Sequence, residues 1–194
     1  MVATFVRRLL SVRRFWPTTV KIRYYCLLLG LLGCRKQVPA PALDPTAALP
    51  AATQTGQRTF GCLLNGQPWT QAGNPFGGPV LAAEWYRNRL SISCRRAFNN
   101  ANGSPNTNQA IEFAIDSIAG PGDYRLADAK KNLLTFSDYR TNCHHTTGSG
   151  QVATVQITRW DPFARIVSGR FSFTLETPGC GRVTVTDGRF DTRF

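Results

Sequence analysis

"GRFSFTLETPGCGRVTVTDGRF", residues 169–190, decides the fold class. Phe171, Phe173 and Leu175 alternate with Ser172, Thr174 and Glu176, and Val183 and Val185 alternate with Thr184 and Thr186. A period of two sends successive side chains to opposite faces of a strand, so each run has one apolar and one polar face. The intervening "TPGCGR" is rich in Gly and Pro and reads as the turn of a hairpin. Gly-Arg-Phe occurs in both arms, at 169–171 and 188–190. Three shared residues are too few for a repeat. Each glycine instead reads as a bulge or bend in a long strand, with a tight turn at Asp187-Gly188 as the alternative.

The same alternation extends back to Thr59. Phe60, Cys62 and Leu64 share a face, as do Leu90, Ile92 and Cys94, then Ile111, Phe113 and Ile115, then Val155 and Ile157. Clusters of Gly, Pro and Asn separate these runs, at Asn65-Gly66, 73–78, 99–106, 120–122 and 148–150. Short alternating strands with such punctuation predict an all-β domain over 59–194. Its form is a single antiparallel β-sandwich or β-barrel-like domain of roughly 8–10 strands. Residues 126–134, "LADAKKNLL", fit a helical turn or a loop entering a strand equally well. Trp160-Asp161-Pro162-Phe163 follows a strand directly and is expected to turn the chain.

The chain before Thr59 has a different composition. Residues 1–33 carry a basic start and then an apolar run from about Tyr24 to Leu32. That is the layout of a signal peptide. The run is roughly half of the ~20 residues that a spanning helix needs. An Arg-rich, acid-free N-terminus also fits a transit peptide, and a plain secretory signal is a further option. Residues 34–58 are rich in Pro and Ala and lack periodic apolar positions. They read as a disordered tether, with an ordered N-terminal arm packed on the domain as the alternative.

Charge follows the same division. The net charge is +12, but six of the 23 basic residues precede Cys34, leaving 17 against 11 acidic residues, or +6. No dense basic run follows, so a phosphate-tracking surface is not expected and nucleic acid is not an expected partner.

Six cysteines occur, at 26, 34, 62, 94, 143 and 180, with no CxxC pair. Zinc-ribbon and thioredoxin-like readings are therefore poor. Four well-separated cysteines in an exported domain, Cys62, Cys94, Cys143 and Cys180, read as two disulfides. Cys62 and Cys94 lie on apolar strand faces, whereas Cys143 and Cys180 lie in polar or Gly-flanked segments. The favoured pairing is Cys62–Cys94 with Cys143–Cys180, against free thiols.

Candidate chemistry is sparse. Cys143-His144-His145 is the only cluster of soft ligands, but adjacent residues of a strand point to opposite faces and no further ligand has metal-site spacing. No metal or cofactor is expected. No GxSxG, HExxH, Walker or GxGxxG pattern occurs, no spaced carboxylate pair is recognisable, and an enzyme is not expected. The aromatics Trp69, Trp85, Tyr86, Trp160 and Phe163, with Tyr124 and Tyr139, are core and sheet-edge candidates. Trp69, Trp85 and Trp160 are also the candidates for stacking on a sugar ring.

Leu31-Leu32-Gly33-Cys34 resembles the bacterial lipobox. The resemblance implies cleavage before Cys34 and a lipid-bearing thiol at that residue, with a bilayer as partner. Acyl chains contribute ~0.8 kcal/mol per buried methylene. Lipobox, Pro/Ala tether, opening "FGCLLNGQPW" and closing "GRFSFTLE" and "VTVTDGRFDTRF" together resemble the small, uncharacterised all-β lipoproteins of Bacteroidota. That resemblance implies an outer-membrane lipoprotein. The lack of acidic residues between Cys34 and Asp44 implies a periplasmic orientation. The expected function is a non-enzymatic binding or structural module with a glycan or envelope protein as partner. The alternatives are a carbohydrate-binding domain and, third, a hydrolase.

Overall fold

The computed structural model describes residues 44–73, 78–99, 105–128, 130–148, 150–151 and 153–194. The lipobox, Cys34 and Cys26 lie outside the described residues. Among those described there are eleven strands, a single four-residue 3-10 turn at Pro45–Ala48 and no α-helix. All strand pairings between them are antiparallel, and they form two sheets packed face to face without closing. The chain is therefore an all-β sandwich, as the alternation predicts.

The six-stranded sheet runs β2-β1-β11-β10-β9-β6 and the five-stranded sheet β3-β4-β5-β7-β8. The first contains β1 (Thr59–Leu64), β2 (Gln67–Thr70), β6 (Gly122–Leu126), β9 (Ala153–Asp161), β10 (Ile166–Thr177) and β11 (Gly181–Arg193). The second contains β3 (Leu81–Tyr86), β4 (Arg89–Asn99), β5 (Pro105–Asp116), β7 (Leu133–Asp138) and β8 (Cys143–Thr146). Inward positions from both sheets form one core, with Phe60, Leu90, Ile92, Ile111, Ile115, Leu134, Ile157 and Leu175 fully buried. The described residues between β6 and β7, namely 127–128 and 130–132, form a loop entering a strand rather than a helical turn. Asp128 accepts from the Lys130 backbone N–H at 2.9 Å and pairs with Asn132 as the chain enters β7.

The two Gly-Arg-Phe segments face each other across the β10–β11 hairpin. Gly169 is opposite Phe190, Arg170 opposite Arg189, and Phe171 opposite Gly188. Each glycine thus lies beneath the other arm's phenyl ring. A Cβ on Gly169 would meet Phe190 Cζ at 2.7 Å as well as the Gln156 carbonyl. A Cβ on Gly188 would meet the Phe171 ring at 2.7 Å. The glycines are required because aromatic rings occupy the space of their side chains. The bulge falls one residue away, at Asp187, whose φ is +54°. β11 continues through it, so Asp187-Gly188 is a bulge and not a turn.

Two expectations are corrected. The domain begins near Asp44, not at Thr59, because residues 44–58 form an ordered strap. Leu49 of the strap is buried, and Pro50 presses on Gly61, where an added Cβ would meet Pro50 Cδ at 2.6 Å. The strap is held by Asp191, which is 1% exposed. Its carboxylate accepts from Thr53 Oγ1 (2.6 Å), the backbone N–H groups of Thr55 (3.0 Å), Gly56 (2.7 Å) and Gln57 (3.1 Å), and Ser168 Oγ (2.7 Å). Burial pushes this carboxyl up, but the hydrogen bonds from Thr53, Ser168, Gln57 and Gly56 outweigh it and hold the group down at about 2.

The second correction concerns the cysteines. Cys143 and Cys180 are bridged, with Cα atoms 5.6 Å apart, which ties β8 to the tip of the β10–β11 hairpin. Cys62 and Cys94 point inward from opposite sheets, as the alternation indicates, but both are free and fully buried. Facing inward from two sheets brings both thiols to one apolar layer but does not fix the Cα approach within about 7 Å that a bridge needs, and here the two stay unbonded. Burial pushes the Cys62 thiol up to about 12 and the Cys94 thiol higher still.

Candidate functional site

Two of the three flagged tryptophans meet at one end of the sandwich. Trp85, near the end of β3, packs edge-on against Trp160 of β9, with centroids 5.4 Å apart. Phe194, the last residue of the chain, completes the group. It stacks on Trp160 at 4.8 Å and an interplanar angle of 12°, and meets Trp85 at 6.0 Å. The cluster joins the edge strand of one sheet to the middle of the other.

Two turns flank it. Tyr86, Arg87 and Asn88 lead round the β3–β4 hairpin, and residues 162–165 connect β9 to β10. The second turn is pinned by Asp161, which accepts from the Ala164 N–H at 2.9 Å and from Arg159 at 2.8 Å. These bonds, the Ala164 one foremost, hold the Asp161 carboxyl below its ordinary range. The Phe194 N–H closes the arrangement by donating to the Arg165 carbonyl at 3.1 Å. The tips are apolar. Trp85 is 43% exposed, Tyr86 61% and Phe163 100%. The Arg87 guanidinium lies over the Tyr86 ring at 5.0 Å.

Backbone conformation at these tips is informative. Asn65-Gly66, in the β1–β2 hairpin, takes φ values of 49° and 78°, the left-handed pair that a two-residue turn requires and that Asn-Gly suits best. The β3–β4 hairpin needs the same pair, 49° and 63°, yet uses Arg87-Asn88. Arg165 in the other turn also has φ +55°. Arginine gains nothing from this conformation, and Asn or Gly would be less strained there.

Trp69 is not part of this end. It is buried, and its indole N–H donates to Gln109 Oε1 at 2.9 Å, while Gln109 Nε2 donates to Asp138 Oδ2 at 2.9 Å. The proposed stacking role of Trp69 is therefore corrected: it is a core residue with a polar relay behind it. Tyr124 closes its own loop, its hydroxyl donating to the Gly120 carbonyl at 2.7 Å. Tyr139 is exposed and edge-on to His144 at 5.7 Å.

His144 and His145 point to opposite faces, as strand geometry requires. His144 is exposed and bonds Ser137 Oγ at 3.0 Å, while His145 is 3% exposed beneath Phe136. Burial, and then His144, lower the affinity of His145 for a proton. Its Nδ1 has no hydrogen-bond partner among the described residues. It borders a cleft of about 440 Å³ with Gln109, Asp138 and the disulfide. Among the described residues no group of three or more His, Cys, Asp or Glu could hold a metal ion. A smaller cleft of about 280 Å³ on the outer face of the five-stranded sheet brings Glu84 and Glu112 together with Ser91, Ser93 and Ala114.

Sequence reasoning identified Trp85 and Trp160 but missed Phe194, Arg87, Arg165 and Asp191. One signal was available for Arg87: "YRNR" sits between two alternating runs where a hairpin turn must form, and Asn88 tolerates the left-handed conformation. Nothing local marks Asp191, whose partners lie some 136 residues earlier. No helix among the described residues is long and apolar enough to cross a membrane. No family model, no curated protein and no solved structure matches this chain.

Proposed function

We propose that this chain is a bacterial lipoprotein held in the outer membrane through an acylated Cys34, with a periplasm-facing, non-enzymatic β-domain that binds through its aromatic end. The observation that carries the binding role is the exposed group of Trp85, Tyr86 and Phe163 around the Trp160–Phe194 stack. Exposed large apolar residues gathered at one end of a small domain mark a contact surface. Several groups suited to chemistry are committed to the fold, which supports a binding role. Asp191 holds the strap, Asp161 pins a turn, Cys143 is bridged, and Cys62 and Cys94 are buried thiols.

Mass spectrometry of the intact mature protein tests the anchor. An acylated mass beginning at Cys34, lost in Cys34→Ser, supports it. A soluble product that retains residues 1–33 overturns it. The second reading is carbohydrate binding, favoured by the half-exposed indole of Trp85 beside Trp160. Titration with oligosaccharides, read by tryptophan emission, tests it. A saturable change lost in Trp85→Ala favours the glycan reading, and none at millimolar sugar removes it.

A further inference from the structure

We propose that the aromatic end docks the domain onto an anionic lipid surface, with Phe163 and Tyr86 entering the interface and Arg87 and Arg165 meeting the headgroups. This deepens the binding role proposed above by naming the partner of that end, and it does not require Cys34 to be acylated.

Shape is the first argument. Phe163 stands wholly in solvent in the β9–β10 turn, and Tyr86 is 61% exposed at the separate β3–β4 turn. Separate convex apolar tips suit a deformable surface better than a sugar ring, which needs a flat platform. Aromatic side chains of this kind favour the boundary between water and hydrocarbon.

Charge is the second. Each aromatic tip carries an exposed arginine, Arg87 beside Tyr86 and Arg165 two residues after Phe163. Asp116 is paired with Arg89 at 2.6 Å and Asp161 with Arg159 at 2.8 Å, and the exposed Glu84, two residues before Tyr86 on β3, is the remaining carboxylate beside that tip, against the three arginines of this end. Arg193 adds a third exposed cation, its guanidinium donating to the Ala164 carbonyl. The end is thus complementary to anionic headgroups.

Backbone strain is the third and is independent of the other two. Both tip arginines occupy left-handed conformations, φ +49° and +55°, that Asn or Gly would occupy at lower cost. The β1–β2 hairpin of the same domain uses Asn-Gly. Arginines kept where they weaken the turn are accounted for if their charge has a partner outside the domain.

The test uses the full chain on vesicles of 30 mol% phosphatidylglycerol in phosphatidylcholine, both with and without brominated acyl chains. Phe163→Trp places an added fluorophore at the tip, and bromine quenching in excess of that of the unsubstituted chain, whose own tryptophans include Trp85 at this end, reports contact of that tip with lipid. The expected result is quenching on anionic vesicles that is largely lost on neutral ones. Arg87→Asn combined with Arg165→Gly should lower the docked-to-undocked ratio about 25-fold, at about fivefold per arginine. The same pair should leave the thermal midpoint unchanged or raise it, so a loss of docking cannot be a loss of folding. Cys34→Ser should retain the quenching at saturating vesicle concentration, which separates this proposal from the acyl anchor. No quenching while the protein sediments with vesicles would overturn it, as would quenching indifferent to the arginine pair. A change in Phe163→Trp emission on adding a β-linked oligosaccharide without lipid would assign the end to a glycan instead.

Discussion

Asp191→Asn is the sharpest test of how the strap is held. The substitution preserves shape and removes charge. In the native protein the carboxylate accepts five hydrogen bonds while 1% exposed. An amide replaces one acceptor oxygen by an NH₂ group, so at least one of the Thr55, Gly56 and Gln57 N–H groups loses its acceptor. Burying an unpaired N–H costs ~1–3 kcal/mol. The ionisation gives a second route to the magnitude. The interval from the ordinary value of 3.8 to about 2 corresponds to ~2.5 kcal/mol at 1.36 kcal/mol per tenfold change. The two routes agree. The sign follows from linkage: the folded value is depressed, so the stabilisation is full above pH ~4 and fades as pH falls through about 2. The assay is urea unfolding of both proteins at pH 7, 4 and 2, with hydrogen exchange at Thr55, Gly56 and Gln57 to separate detachment of the strap from global unfolding. The variant should exchange about 50-fold faster at these amides at pH 7 and converge on the native protein near pH 2. Equal exchange at pH 7, or a difference as large at pH 2 as at pH 7, would refute the assignment of the strap to this charge.

Three further outcomes are expected. Gly169→Ala should destabilise the domain by ~1–3 kcal/mol in urea melts, since its Cβ would sit 2.7 Å from Phe190 Cζ; Phe190→Leu in the same chain should recover part of the loss. Reducing Cys143–Cys180 should cost ~3–4 kcal/mol, the chain-entropy estimate for its 37-residue separation, read as a reductant-dependent shift of the midpoint. Trp69→Phe should cost ~1–2 kcal/mol by removing the indole donor to Gln109, and the loss should shrink when Gln109 is changed to Leu in the same protein.

The fold was largely legible because strands with one buried face announce it every second residue. Leu90, Ile92 and Cys94 are buried as their spacing indicates, and "TPGCGR" is the hairpin turn it resembles in composition. The strap was not legible. It is held through backbone N–H groups of Thr55, Gly56 and Gln57, whose side chains carry no pattern, and by a carboxylate far along the chain. Of the two readings of Trp69 the core one holds, but its partner Gln109 lies 40 residues away on the other sheet and no local pattern shows it. At the aromatic end, composition identified the rings but not their grouping. That grouping depends on Phe194, which lies 109 residues from Trp85 and 34 from Trp160 in the sequence, so no local pattern links them. Cys62 and Cys94 mark the limit of face assignment, since alternation gives direction and not the distance across the layer.

The strap at Asp191 also has a mechanical consequence. A pull on the chain ahead of Asp44 reaches Leu49 and then the Asp191 hydrogen bonds before it reaches Thr59 and the ladder of β1. Tension is therefore delivered to the end of β11, which β1 and β10 grip from both sides, so the load spreads over two neighbouring strands. The strap works as strain relief for the sheet, and one ionised carboxylate is the centre of its grip, with Arg159, Arg189 and Arg193 donating to the strap's carbonyls around it.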